Sequence, residues 1–210
     1  MMTLTLSKTR KGIYDVHVDE ELIGCLPDKL IPAEYFISTP TDKKAADFIK
    51  AVKEWTFKNG QTRLVDYLAK IERTVFDSKN HLRRWSVPDD MITKIINDAI
   101  QKKWLSDERY TRNYIEEMIL TGRSPQYAKF KLHKKKIAHE TIAKVIAEEY
   151  DQKITQDLVI DIIDKLITKY EGMPERQQFE RIASALYRRG FDYVDYEDVL
   201  KMRIRELNQK

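Results

Sequence analysis

The stretch TGRSPQYAKFKLHKKKI, from Thr121 to Ile137, carries Arg123, Lys129, Lys131, Lys134, Lys135 and Lys136 and no acid. From Met118 to His139 no carboxylate offsets these cations. Solvent-facing helices ordinarily interleave both signs, because pairs three or four residues apart support one another. An uncompensated run therefore points to an anionic partner outside the chain. Tyr127 and Phe130 stand among the cations, and a basic surface with interleaved rings suits a groove lined by phosphates or by acidic side chains. Basic pairs recur at Arg83-Arg84, Lys134-Lys135 and Arg188-Arg189. The chemistry expected of this set is binding to charge, not the making or breaking of bonds.

Residues suited to catalysis are sparse. The histidines are His17, His81, His133 and His139, and His133 and His139 do not have the i,i+4 spacing of a helical metal pair. Cys25 has no second cysteine or nearby histidine, and no phosphate-cradling glycine loop or nucleophile elbow occurs. The chain is thus expected to be no enzyme and to hold no metal or cofactor. Asp107-Glu108 and the run Asp192, Asp195, Glu197 and Asp198 read as acidic helix starts that favour the macrodipole. Trp85, Trp104, Tyr110 and Tyr114 read as packing residues.

The elements that must position the cations are mostly helical. Of 210 residues, 42% are apolar and 34% charged, with only six Gly and six Pro, a composition unlike a turn-dense β fold or a disordered linker. The net charge of +4 is concentrated between residues 61 and 150, where 18 Lys and Arg face 13 Asp and Glu. One cysteine fits a reducing cytoplasm, and neither a signal peptide nor a membrane span is expected. A monomer is expected.

The first 37 residues read as strands. Leu4 and Leu6 alternate with polar neighbours, KTRKG offers a turn, Tyr14, Val16 and Val18 alternate again, and LIGCL extends the hairpin. From Asp42 the apolar period becomes helical, through Ala45, Phe48, Ile49, Val52 and Trp55, with Asn59-Gly60 as the expected stop. Beyond Gly60 the reading is all helix and contains a repeat: LRRWSVPDDMITKII, LHKKKIAHETIAKVI and LYRRGFDYVDYEDVL. Leu82, Val87, Ile92, Ile95 and Ile96 match Leu132, Ile137, Ile142, Val145 and Ile146, then Leu186, Phe191, Tyr196, Val199 and Leu200, at spacings of 50 and 54 residues. Such periods mark stacked supersecondary units. The expected architecture is mainly α: tandem three-helix repeats in an elongated array behind a small β-hairpin and helix. Its expected segments are 1–60 for that extension and 61–105, 106–152 and 153–210 for the repeats.

With the repeat in view, WLSDERYTRNYIEEMILTGRSPQYAKFKLHKKKIAHETIAKVI resembles the RecX family of bacterial recombination regulators. It shares that family's Leu-Asp-Asp-Glu-Arg-Phe opening, glycine-containing turn with proline, basic helix and apolar third helix. ALYRRGFDYVDYEDVL resembles the family's third-repeat ending. Ser124 replaces the second glycine of the family turn, and Ser86 and Lys136 replace helix-ending glycines of which only Gly190 is kept. Left-handed geometry at a lysine costs roughly 1 kcal/mol, so a different helix end is expected at Lys136. DKLITKYEG lacks the family's basic stretch, so no cationic contact is expected from that helix.

The resemblance implies a helical array that docks in the groove of the RecA–DNA filament, limits its growth and promotes its disassembly. RecA's ATPase, strand exchange and coprotease activity would fall, placing the chain in DNA repair and the SOS response. The contact residues expected are Arg83, Arg84, Arg123, Tyr127, Lys129, Lys131, Lys134, Lys135, Lys136, Arg188 and Arg189. The partners expected are the RecA filament and DNA, with no membrane. From the residues alone, a stand-alone DNA-binding protein and a helical scaffold for another protein stay open. Against the first, PDDMITK and HETIAKV offer few Asn, Gln or Arg near a helix start to read base edges.

Overall fold

The computed structural model describes residues 3–10, 12–36 and 42–208. The chain forms two compact units, residues 1–106 and 107–210. In the first, β1 (Leu4–Arg10), β2 (Ile13–Val18) and β3 (Glu21–Pro27) make an antiparallel sheet in sequence order. The alternation seen in the sequence sets its register, pairing Leu4 with Val18 and Leu6 with Val16. Asp19 and Glu20 both take positive φ, 48° and 69°, as the tight hairpin turn between β2 and β3 requires. Strand structure ends at Pro27, and two short 3-10 turns, Asp28–Leu30 and Ala33–Phe36, follow in place of the strand reading continued to residue 37. Residue 37 itself, and Lys11 of the expected KTRKG turn, lie outside the described residues.

Helix α1 (Asp42–Leu68) covers one face of the sheet, with Phe48 and Val52 against Leu4, Val16, Ile23 and Leu26. Thr56 locks the two together: its hydroxyl donates to the Cys25 carbonyl at 3.0 Å and accepts from the Cys25 N–H at 2.9 Å. A Cβ on Gly24 would lie 2.3 Å from that hydroxyl oxygen, so only glycine admits the contact. The stop expected at Asn59-Gly60 does not occur, and α1 runs eight residues further. An interior glycine costs about 1 kcal/mol relative to alanine, but here it lets α3 approach, since a Cβ at Gly60 would lie 2.9 Å from the Ile95 Cδ1.

The remaining helices are α2 (Val75–Arg83), α3 (Asp89–Gln101), α4 (Asp107–Leu120), α5 (Pro125–Lys134), α6 (His139–Glu149), α7 (Gln152–Lys169), α8 (Glu175–Tyr187) and α9 (Tyr193–Asn208). The repeated apolar offsets are core positions. Leu82, Val87, Ile92, Ile95 and Ile96 are buried in one cluster, Leu132, Ile137, Ile142 and Val145 in another, and Leu186, Phe191, Tyr196 and Leu200 in a third. The longer second spacing has a simple cause. α8 has 13 residues against 10 in α5, and about one extra turn returns its last leucine to the same face. Gln178 fills the added turn, buried, with its amide donating to the Met173 carbonyl at 2.9 Å.

Ser86, Lys136 and Gly190 all take left-handed backbone, with φ of 55°, 58° and 90°. The different helix end expected at Lys136 is therefore not found. In the first and third triplets the next residue closes the helix: the Val87 N–H donates to Leu82 and the Phe191 N–H to Leu186, at 3.3 and 3.2 Å. Val87, Ile137 and Phe191 then drop into their cores, and that burial outweighs the lysine's strain. Lys136→Gly should stabilise the chain by about 0.5–1 kcal/mol, read as a higher urea midpoint. A lower midpoint would mean that the left-handed turn is not adopted.

Candidate docking interface

The start of α5 is built by local rules. Ser124 is extended (φ −76°, ψ 160°), its hydroxyl accepts from the Tyr127 N–H at 3.1 Å, and Pro125 occupies the first helical position. The same hydroxyl donates to the Gly190 carbonyl in the turn between α8 and α9. The Ser124 N–H donates to the Arg189 carbonyl at 3.0 Å, and Arg123 Nη1 donates to the Arg188 carbonyl at 3.0 Å. Three successive carbonyls of one turn are thus held by two successive residues of the other. The buried Tyr150 hydroxyl donates to the Arg123 carbonyl at 3.0 Å. Burial pushes its phenol above the ordinary range, so it remains a donor at neutral pH. Gly190 is required here, because a Cβ would lie 2.6 Å from the Ser124 hydroxyl and 2.8 Å from the Tyr127 Cβ.

This junction brings the cations of α5 beside those of the α8–α9 turn. Arg123 lies 4.8 Å and the Lys131 ammonium 5.3 Å from the Tyr127 ring centroid. The Lys134 ammonium lies 4.3 Å from the Phe130 ring, which is 56% exposed. The i,i+4 spacing that places Tyr127 under Lys131 and Phe130 under Lys134 also orders the charges along one helix face. Lys129 is half-buried on α5, Lys135 caps the helix, and the exposed Lys136 follows. Arg188 is exposed, whereas the half-buried Arg189 bends back to the Ala185 carbonyl at 3.2 Å.

Among the described residues, no carboxylate lies within ion-pair distance of Lys129, Lys131, Lys134, Lys136 or Arg188. The α4–α6 surface of the same unit is the opposite case. There Arg112 pairs with Glu148 and Glu149, and Lys144 meets Glu108 at 2.9 Å, which holds that carboxyl below its usual range. The bare cations of α5 are thus a local property of that helix.

In the first unit the expected pair divides. Arg83 donates to Asp89 at 2.9 Å and to Asn80 at 3.1 Å, so its charge is met locally. Arg84 is exposed at the end of α2. Of the aromatic residues read as packing, Trp85, Tyr110 and Tyr114 lie against cores. Trp104 does not: it is 49% exposed, with the Lys102 ammonium 4.8 Å from its ring. Of the acidic starts, Asp195 caps its helix, its carboxylate accepting from the Asp192 N–H at 2.8 Å, whereas Glu108 and Glu197 pair with Lys144 and Lys201. Among the described residues no group of three or more metal-ligating side chains occurs, and no helix is long and apolar enough to cross a membrane. The sequence reading missed the role of Gly190 as the partner of Ser124. The signal available was the matching exchange of glycine for serine in the one turn and its retention in the other.

No family model matches the sequence. A regulatory protein RecX from Streptococcus equi subsp. zooepidemicus is 27% identical over 195 residues, covering 91% of this chain and 73% of its own. A crystal structure of RecX from Lactobacillus salivarius superposes with a TM-score of 0.62 and 25% identity, over 73% of this chain and 97% of that one. A second crystal structure, of regulatory protein RecX, shares the fold over 96% of this chain and 99% of its own, with a TM-score of 0.64 at 21% identity. These similarities place the chain close to RecX proteins in sequence and in fold. The mainly helical fold with its small amino-terminal sheet is shared with a RecX structure.

Gly190→Ala should cost the second unit about 2 kcal/mol or more, from left-handed strain plus the clash with Ser124. Ser124→Ala, which loses the cap and the carbonyl contact, should cost about 1–2 kcal/mol. Thermal unfolding reads both, and an unchanged midpoint for Gly190→Ala would show that the turns are not clasped.

Proposed function

We propose that the chain is a non-enzymatic regulator that binds the RecA–DNA filament and lowers RecA activity by limiting filament growth and promoting disassembly. The observation that carries this reading is the acid-free face of α5, ordered over Tyr127 and Phe130 and joined to Arg188. Similarity to proteins named as regulatory proteins RecX supports it. A nucleoprotein filament offers both anions that such a face attracts, phosphates and acidic side chains. The contacts would be Arg123, Tyr127, Lys129, Lys131, Lys134, Lys135 and Lys136 of the second unit with Arg188 and Arg189, and Arg84 of the first. Arg83 would contribute least, since Asp89 already meets its charge. We further infer that the triplets are homologous repeats, the first being the end of α1 with α2 and α3, and that the protein works in the cytoplasm.

Submicromolar protein should slow RecA's DNA-dependent ATPase. Lys131→Glu with Lys134→Glu and Lys135→Glu should weaken filament binding by about 2–4 kcal/mol, roughly 30- to 1000-fold, with the helical circular dichroism unchanged. No slowing at saturation, together with no binding to the filament, rejects the proposal. Loss of helical signal in the triple variant would assign those lysines to folding instead.

A further inference from the structure

The first unit gathers a second set of cations from distant parts of its sequence. Trp85, just beyond α2, lies between two guanidinium groups: Arg63 of α1 is 3.2 Å from its ring centroid and Arg10, at the end of β1, is 4.0 Å away. One turn further along α1, Tyr67 stacks on His81 with centroids 4.0 Å apart and planes within 4°, and Arg73 sits 4.5 Å from the same ring. Arg84 and Lys70 add their charge, for with Arg63 and Arg73 they join burial in pushing the His81 pKa down. Burial and Arg10 push Arg63 down as well.

Asp66 offsets part of the charge at Arg63, but burial and Arg10 outweigh it. Among the described residues, no carboxylate lies within ion-pair distance of Arg10, Arg63, Arg73 or Arg84. The Nε atoms of Arg63 and Arg73 are buried without a hydrogen-bond partner, although buried polar groups are nearly always satisfied. Stacking on Trp85 and Tyr67 offsets part of the repulsion, because a cation over a ring contributes about 0.5–2 kcal/mol. Packing alone gives no reason to bring so many like charges together, whereas an external anion would meet the charge.

We propose that this cluster is a binding site for the phosphate backbone of a nucleic acid. The ring faces are already covered by arginines and by His81, so bases have no platform on which to stack and the contact is sequence-independent. A guanidinium placed over a ring keeps its charge, and its N–H fork is suited to phosphate oxygens. Arg63, which meets Trp85, and Tyr67, which meets Arg73, are one helical turn apart on α1, so a ligand that spans both must carry repeated charge. A phosphodiester chain does so whatever its sequence. The inference does not depend on RecA, because the ligand is nucleic acid alone.

The test uses the full chain without RecA. Binding of a fluorescein-labelled oligothymidylate is measured across a salt series, and the slope of log K against log salt is compared between variants. Each lost phosphate contact should flatten the slope by about 0.7. Arg63→Gln with Arg73→Gln and Arg84→Gln should flatten it by about two, and the exposed Arg84→Gln alone by about 0.7. The single variant decides if the triple variant does not fold. Unchanged slopes overturn the proposal. So does polyglutamate competing as well as unlabelled oligothymidylate at equal charge concentration, which would make the cluster a site for acidic protein.

Discussion

The Ser124 hydroxyl is the hinge of the second unit. It accepts the Tyr127 N–H that begins α5 and donates to the Gly190 carbonyl that ends the α8 turn. Through that one atom, the start of a helix in one triplet is fixed against the end of a helix in the next. Arg123 and the Ser124 N–H take the two preceding carbonyls, so the register between the turns cannot slip without breaking several hydrogen bonds together. The orientation of α5 follows, and with it the direction in which Lys131 and Lys134 project.

The economy of the arrangement lies in where charge is neutralised. On the α4–α6 surface, cations and carboxylates meet in a network centred on Arg112 and Glu108. On α5 the cations rest on aromatic rings instead, a contact that orders a side chain without cancelling its charge. The first unit repeats the device with Trp85 and Tyr67. In both units rings hold positive charge in place and leave it available, which suits the anion contacts proposed for each.

Much of this was legible in the sequence because it depends on local rules. Ser124-Pro125 announces a capped helix start, the apolar offsets in each triplet mark its core, and the acid-free run on α5 is visible by inspection. What escaped depends on tertiary contact. Asn59-Gly60 looks like a stop until Ile95 is known to pack on Gly60. Lys136 looks unsuited to left-handed backbone until the burial of Ile137 is weighed. Trp104 has the composition of a core residue and the position of a surface one. The cluster around Trp85 joins Arg10, Arg63 and Arg84, residues that no short window contains.

The central claim is that α5 and the α8–α9 turn face the RecA filament, and site-directed photo-cross-linking tests it most directly. Cys25 is buried and its thiol is pushed up to about 11, chiefly by that burial, so a cysteine introduced at Lys134 or Arg188 carries the reactive thiol. A benzophenone maleimide attached there should cross-link to RecA or to its DNA when filament is present, and the species captured identifies the surface touched. A probe at the exposed Lys153 on α7 serves as the comparison. Capture from Lys153 with none from Lys134 or Arg188 would contradict the account.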